Sequence, residues 1–169
     1  MFKSFGIVRA SAFAAFLSIW AVPDALAQAD PVAVQQRLFD ALERGDVEAA
    51  LSLFTDDAVV DSQSGTCASA PCVGRAAIQK DLLRYVSDKS RRVHALDTHV
   101  SGNILITRFE ARSATISKAG VERIVLWGIR EMAGDKIAST RCCLPERTDM
   151  QTLRFLEWDY AHSPAGAAR

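Results

Sequence analysis

Two hydrophobic periods divide this chain. Over positions 34–86 the apolar residues recur every three to four places, and over 92–144 they recur every second place. Val34, Leu38 and Leu42 mark one face of a first helix. Asp30-Pro31 ahead of it reads as an N-cap followed by proline at the first helical position, and Gly45 as the residue that ends it. Asp46 caps a second helix, in which Val47, Ala50, Leu51 and Phe54 form an apolar stripe. Ala58 starts a strand, and Gly74 precedes a third helix over 75–86 with Ile78, Leu82 and Val86 on one face.

The second half reads as a meander. Strands are predicted over 92–100 and 104–113, joined by Ser101-Gly102-Asn103, then over 121–132 and 136–144, joined by Ala133-Gly134-Asp135 and stopped by Pro145. Residues 148–160 fit either a helix capped by Asp149, using Met150, Leu153, Leu156 and Tyr160, or a terminal strand. Helices first and antiparallel strands afterwards predict an α+β domain, a cone in which a strongly bent mixed or antiparallel sheet wraps around three N-terminal helices.

The chain's start carries a different signal. Lys3 and Arg9 precede an apolar run over 10–22, and Ala25-Leu26-Ala27 offers the small residues of a cleavage site. The run is shorter than the roughly 20 residues of a membrane span. We expect a cleaved signal peptide over 1–27, a domain over 28–160 and a disordered tail over 161–169, in a periplasmic or secreted protein; the alternative is an N-terminal anchoring helix. Twenty Lys and Arg balance 20 Asp and Glu. That neutrality supplies no electrostatic ground for nucleic acid, or for a membrane surface after cleavage, as partner.

Export makes the cysteines informative. Cys67 and Cys72 flank Ala-Ser-Ala-Pro, a turn-rich loop short enough for a disulfide that stiffens it. Cys142 and Cys143 are adjacent in a strand, so their side chains should point to opposite faces. A bridge between them would distort the strand, and one buried and one exposed thiol are expected. No metal is expected: the Cys67–Cys72 spacing is a loose match to a zinc site, and neither His94 nor His99 is a neighbour in sequence. No cofactor fingerprint, GxSxG, HExxH or P-loop is present.

The segments LERGDVEAALSLFTDDAVV and VGRAAI resemble the nuclear transport factor 2-like superfamily, including its SnoaL-like and ketosteroid-isomerase-like branches, over roughly 31–144. The resemblance implies a conical cavity on a scaffold that serves many activities. The steroid-isomerase branch uses a Tyr in the first helix, an Asp base after the first strand and an Asp acid on a later strand. Leu38, Ser62 and Gly128 stand at those places here, and none can do that chemistry. Asp61 is one residue from the base position, but a one-residue slip turns a strand side chain to the opposite face.

Alternation sorts the sheet. Leu105, Thr107, Phe109 and Ala111 should face inward, as should Ile124, Leu126, Gly128, Arg130 and Met132, then Thr140, Cys142 and Leu144. Arg108, Glu110, Arg112, Arg123, Val125, Trp127, Ile129, Arg141 and Cys143 should face outward, unless a bulge intervenes. The expected ligand pocket comprises Leu38, Ser62, Tyr85, Thr107, Phe109, Leu126, Gly128, Arg130, Thr140 and Cys142, with His94 at its margin. Its apolar character suits a small, largely apolar or amphipathic molecule. An inward Arg130 either snorkels to water or pairs internally, or it clamps a ligand carboxylate. The outer residues Arg108, Glu110, Val125, Trp127, Ile129 and Arg141 form either cross-strand charge pairs on a solvated face or a dimer contact. The resemblance implies a homodimer through that face.

His94 and Asp61 are the acid/base candidates. Arg92-Val93-His94 resembles a His-bearing strand of SnoaL-like proteins, and Asp97 and His99 share a face. The leading expectation is an exported binding domain. One alternative is an enzyme resembling SnoaL-like cyclases, dehydratases or isomerases. Another is a dimeric partner-binding module whose cavity is closed by Phe109, Leu126 and Leu144.

Overall fold

The computed structural model describes residues 30–162. The expected leader, with its cleavage after Ala27, lies outside the described residues; of the tail expected over 161–169, Ala161 and His162 belong to the last helix, and the rest lies outside them. Helix α1 (Pro31–Arg44) begins where the Asp30 carboxylate accepts from the Val32 N–H at 2.9 Å, and ends at Gly45 in the left-handed region, φ 72°. Asp46 caps α2 (Val47–Ser52) by accepting from the Ala49 N–H at 3.0 Å. Thus one Gly-Asp step both stops a helix and starts the next.

Helix α2 is shorter than its apolar stripe suggests. Phe54 opens β1 (Phe54–Ser62) instead, because Phe54 pairs with Ile137 and the Leu53 carbonyl accepts from the Ile137 N–H at 2.7 Å. A short 3-10 turn (Gly65–Ala68) and β2 (Cys72–Val73) lead to α3 (Arg75–Ser87). Then follow β3 (Arg92–Ser101), β4 (Ile104–Arg112), α4 (Ala114–Lys118), β5 (Ile124–Ala133), β6 (Lys136–Pro145) and α5 (Met150–His162). The ambiguous segment is therefore a helix. Asp149 caps α5 as the sequence allowed, accepting from the Thr152 N–H and hydroxyl, both at 2.8 Å.

The six strands run in the order β2-β1-β6-β5-β4-β3, with β1 parallel to β6 and every other pair antiparallel. The result is a cone: a mixed sheet with helices against its concave side. One core cluster joins α1, α2 and α3 to β1 and β6 through Val34, Leu38, Ile78, Phe54 and Ile137. A second joins Phe39 of α1 to Phe109, Ile124 and Leu126 of the sheet, with Phe155 of α5 packed alongside. Each fully buried aliphatic side chain of this kind contributes about 1.5–3 kcal/mol.

Register shifts interrupt β1, β3 and β6, and two of them decide which side chains reach the interior. In β3, Ala95 pairs with Phe109 and Asp97 with Arg108, which leaves Leu96 without an opposite residue. In β6, Arg141 pairs with Ile129 and Leu144 with Trp127, so Cys142 and Cys143 together oppose Gly128. Each extra residue reverses the facing of everything beyond it. Leu144, expected inside, therefore shares the outer face with Trp127, while Pro145 pairs with Leu126 and lines the interior.

Candidate functional site

The cone encloses a cavity of about 450 Å³. Its walls come from α1 (Leu38, Phe39), α3 (Ile78, Leu82, Tyr85), the inner sheet face (Ser62, Phe109, Leu126, Arg130, Thr140) and α5 (Phe155, Leu156). The lining is largely apolar, and its one deeply buried charge is Arg130.

Arg130 sits in β5 between Leu105 of β4 and Thr140 of β6, with 4% of its surface exposed. Neither snorkelling nor internal pairing describes it. Nε and Nη1 have no hydrogen-bond partner, and among the described residues no carboxylate lies within ion-pair distance. The guanidinium folds back over Gly128, where a Cβ would stand 3.2 Å from Nη1 and 3.4 Å from Phe109 Cε1. Its carbon lies 5.8 Å from the centre of the Phe39 ring, a weak cation–π contact. Burial pulls its pKa down to about 10, partly offset by attraction from Tyr85, so it remains a cation at neutral pH. An unpaired buried charge costs several kcal/mol of desolvation, and no carboxylate among the described residues offsets it.

Tyr85 lines the same cavity, and burial pushes its phenol up to about 12 against the pull of Arg91 and Arg130. The Arg91 guanidinium stacks over its ring at 4.3 Å. Thr140, 6% exposed, lines the cavity with its hydroxyl unpartnered. The unpartnered Thr107 hydroxyl and the Gln35 amide are also buried, behind the wall. Ser62 accepts from the Ser64 N–H at 3.2 Å.

Residues 35–140, more than half of the chain, match the SnoaL-like domain family. The chain belongs to the SnoaL-like domain family. Solved structures agree on the fold. A candidate polyketide cyclase from Sinorhizobium meliloti superposes with a TM-score of 0.52 at 22% identity, over 65% of this chain and 93% of its own. An epoxide hydrolase/cyclase-like enzyme with a role in pyran ring formation in the polyether salinomycin gives 0.54 at 19%, over 70% and 92%. A computationally designed 17-OHP binder gives 0.54 at 16%, over 66% and 87%. No curated protein matches the sequence.

Within this SnoaL-like cone, Leu38, Ser62, Tyr85, Phe109, Leu126, Arg130, Thr140 and Cys142 line the cavity. Thr107 is fully buried opposite Gly128 and does not reach the cavity, while Gly128 acts by leaving space for Arg130. The two acid/base candidates lie elsewhere. His94 is exposed and pairs with Glu110 on the outer face. The β3 bulge turns Asp97 and His99 to that face too, opposite Arg108 and Ile106. Asp61 is held by Arg141, whose Nε donates to Oδ2 at 3.1 Å outside the cone.

Sequence reasoning missed Phe39, Cys143 and the α5 wall. Phe39 follows Leu38 on the helix and lies off the Val34–Leu38–Leu42 stripe, so periodicity alone ranks it second. Its signal was simply an aromatic one residue beyond an expected pocket position.

The cysteines are both as expected and otherwise. Cys67 and Cys72 are bridged, with Cα atoms 5.2 Å apart, and both are buried in the first core cluster. Cys142 is bridged to Cys143, against the expected pair of free thiols. The distortion such a bridge requires is present: Cys143 has φ 67°, the one positive φ among described non-glycine residues, within the bulge opposite Gly128. Both cysteines consequently line the cavity, including Cys143, which alternation had placed outside.

On the outer face, charge pairing is largely internal. Arg123 bridges Glu110 at 3.7 Å and Asp149 at 3.2 Å, Arg108 lies 3.8 Å from Glu146, and the Trp127 indole donates to Glu146 at 2.9 Å. Val125, expected in a dimer face, is 0% exposed within the single chain, and its N–H donates to the Thr152 hydroxyl at 2.8 Å. Ile129 and Arg141 remain exposed.

Proposed function

We propose that this protein binds a small, largely apolar or amphipathic molecule inside the cone. The observation that carries the reading is the 450 Å³ cavity itself, walled by Phe39, Phe109, Leu126 and Phe155 and left open by the chain's own side chains. A module with a self-filled interior would lack that space: Leu144, which would have helped close it, faces outward. The neighbours named as cyclases or as a designed binder are consistent with a guest-holding fold.

Binding of a neutral apolar fluorophore, N-phenylnaphthylamine, tests this. Saturable fluorescence enhancement is expected in the full chain and should be lost in Ala111→Trp, which fills the cavity from its inner sheet wall. Absence of saturable binding, or equal binding by the filled variant, would contradict the reading.

The same proposal places the protein outside the cytoplasm, supported by the leader pattern and by the Cys67–Cys72 bridge. It also retains a homodimer through the outer sheet face around Trp127, Ile129 and Arg141. Native mass spectrometry of the gently purified protein should show a dimer with the leader removed; a monomer at tens of micromolar would count against the pairing.

A further inference from the structure

Of everything in the molecule, the Arg130 side chain is hardest to reconcile with an empty cone. A purely apolar guest would leave its charge as unpaired as it is now. With Nε and Nη1 unpartnered among the described residues, the charge of this planar fork stands uncompensated in the cavity wall, and a carboxylate is the planar anion that such a fork takes up best. We propose that the cavity is built for a monocarboxylate, its charge held by the Arg130 guanidinium on the wall that Thr140 shares, and its apolar body along Phe39, Phe109 and Leu126. This deepens the binding reading above and rests on it.

Three further observations narrow the class. One cation in the wall is deeply buried: Arg84 and Arg112 are exposed at the cavity rim, and the half-buried Arg91 lies over the Tyr85 ring. One buried cation neutralises a monoanion and leaves a dianion such as phosphate half compensated. The cavity carboxylates do not compete for the guanidinium, since Asp81 is held by the Thr66 N–H at 2.7 Å and hydroxyl at 2.6 Å, and Asp159 is exposed. Thr140, paired with Arg130 across the β5–β6 ladder, offers an unused hydroxyl on the same wall. Tyr85, a neutral phenol at this pH, offers a further O–H at the cavity surface.

Matched probes separate this inference from the reading beneath it. Isothermal calorimetry on the full chain at neutral pH would compare octanoate with 1-octanol, and 2-naphthoate with 2-naphthol. The carboxylate of at least one pair should bind about ten- to a hundred-fold more tightly than its alcohol. That advantage should shrink to about one in Arg130→Met and fall partly in Thr140→Val. Equal affinities within both pairs, or an advantage that survives Arg130→Met, would overturn the carboxylate assignment. Failure of all four probes would overturn it too, and the fluorophore titration then decides whether the cavity reading stands without it. The comparison within wild-type protein needs no variant to fold.

Discussion

Arg130 occupies the space that a side chain at residue 128 would fill: Nη1 lies 3.2 Å from where a Gly128 Cβ would stand. The glycine is therefore part of the site, although it touches no guest. Gly128→Ala asks the end of a flexible side chain to move by a few tenths of an ångström, and the backbone at this position needs no glycine-only conformation. Stability should change by less than about 1 kcal/mol in urea denaturation, while octanoate binding weakens several-fold. Gly128→Val should abolish that binding. Unchanged affinity in both variants would show that the guanidinium position does not matter to the guest.

Arg130→Met removes a buried cation and keeps an apolar side chain of similar length. Because no partner is left behind, the change should be neutral or stabilising by up to about 4 kcal/mol in the ligand-free protein. Chemical denaturation checks this directly. A loss above about 2 kcal/mol would mean that Arg130 stabilises the fold through a partner.

Alkaline behaviour follows from Tyr85 and Arg130, which work in opposite directions. Between pH 10 and about 12 the folded chain keeps the Tyr85 proton that the unfolded chain has lost, so this group makes stability fall as pH rises. Above about pH 10 the unfolded chain still holds the arginine proton that the folded chain releases, so Arg130 makes stability rise. The two should largely offset each other in the wild type. Arg130→Met should therefore lose stability more steeply over this window, and Tyr85→Phe should gain relative to wild type. Parallel curves for all three proteins would contradict the assignment, and the tyrosinate absorbance step removed by Tyr85→Phe should lie near pH 12.

The Cys67–Cys72 bridge closes a short loop at the edge of the first core cluster. Replacing both residues with alanine should cost about 2 kcal/mol, the low end for a disulfide, because so short a loop restricts the unfolded chain little. Thermal or urea unfolding measures it. The cavity lies beyond this loop, so octanoate affinity should be unchanged at temperatures where the variant is folded.

Much of this architecture was legible because local chemistry and global packing agree. Asp30-Pro31, Gly45-Asp46 and Gly74 announce α1, α2 and α3, and strict alternation in β4 and β5 placed Phe109, Leu126 and Arg130 on the inner face. What alternation cannot supply is the location of an interruption. The bulges at Leu96 and at Cys142–Cys143 each shift facing by one residue, which is why His99 keeps Asp97's face but not the cavity, and why Cys143 and Leu144 exchange sides. The end of α2 was likewise decided at long range, by the pairing of Phe54 with Ile137. Whether Arg130 would be paired also depended on which carboxylates the fold brings near it, and strand periodicity holds no information about that.

The most direct test of the central claim observes Arg130 itself. In nitrogen-15 NMR spectra the arginine Nε–H resonance that disappears in Arg130→Met identifies this side chain. Titration with octanoate should move that resonance saturably, while those of Arg108 and Arg141 on the outer face stay in place. Calorimetric binding of octanoate with the Arg130 resonance unmoved, or movement confined to the outer arginines, would place the carboxylate elsewhere and contradict the account.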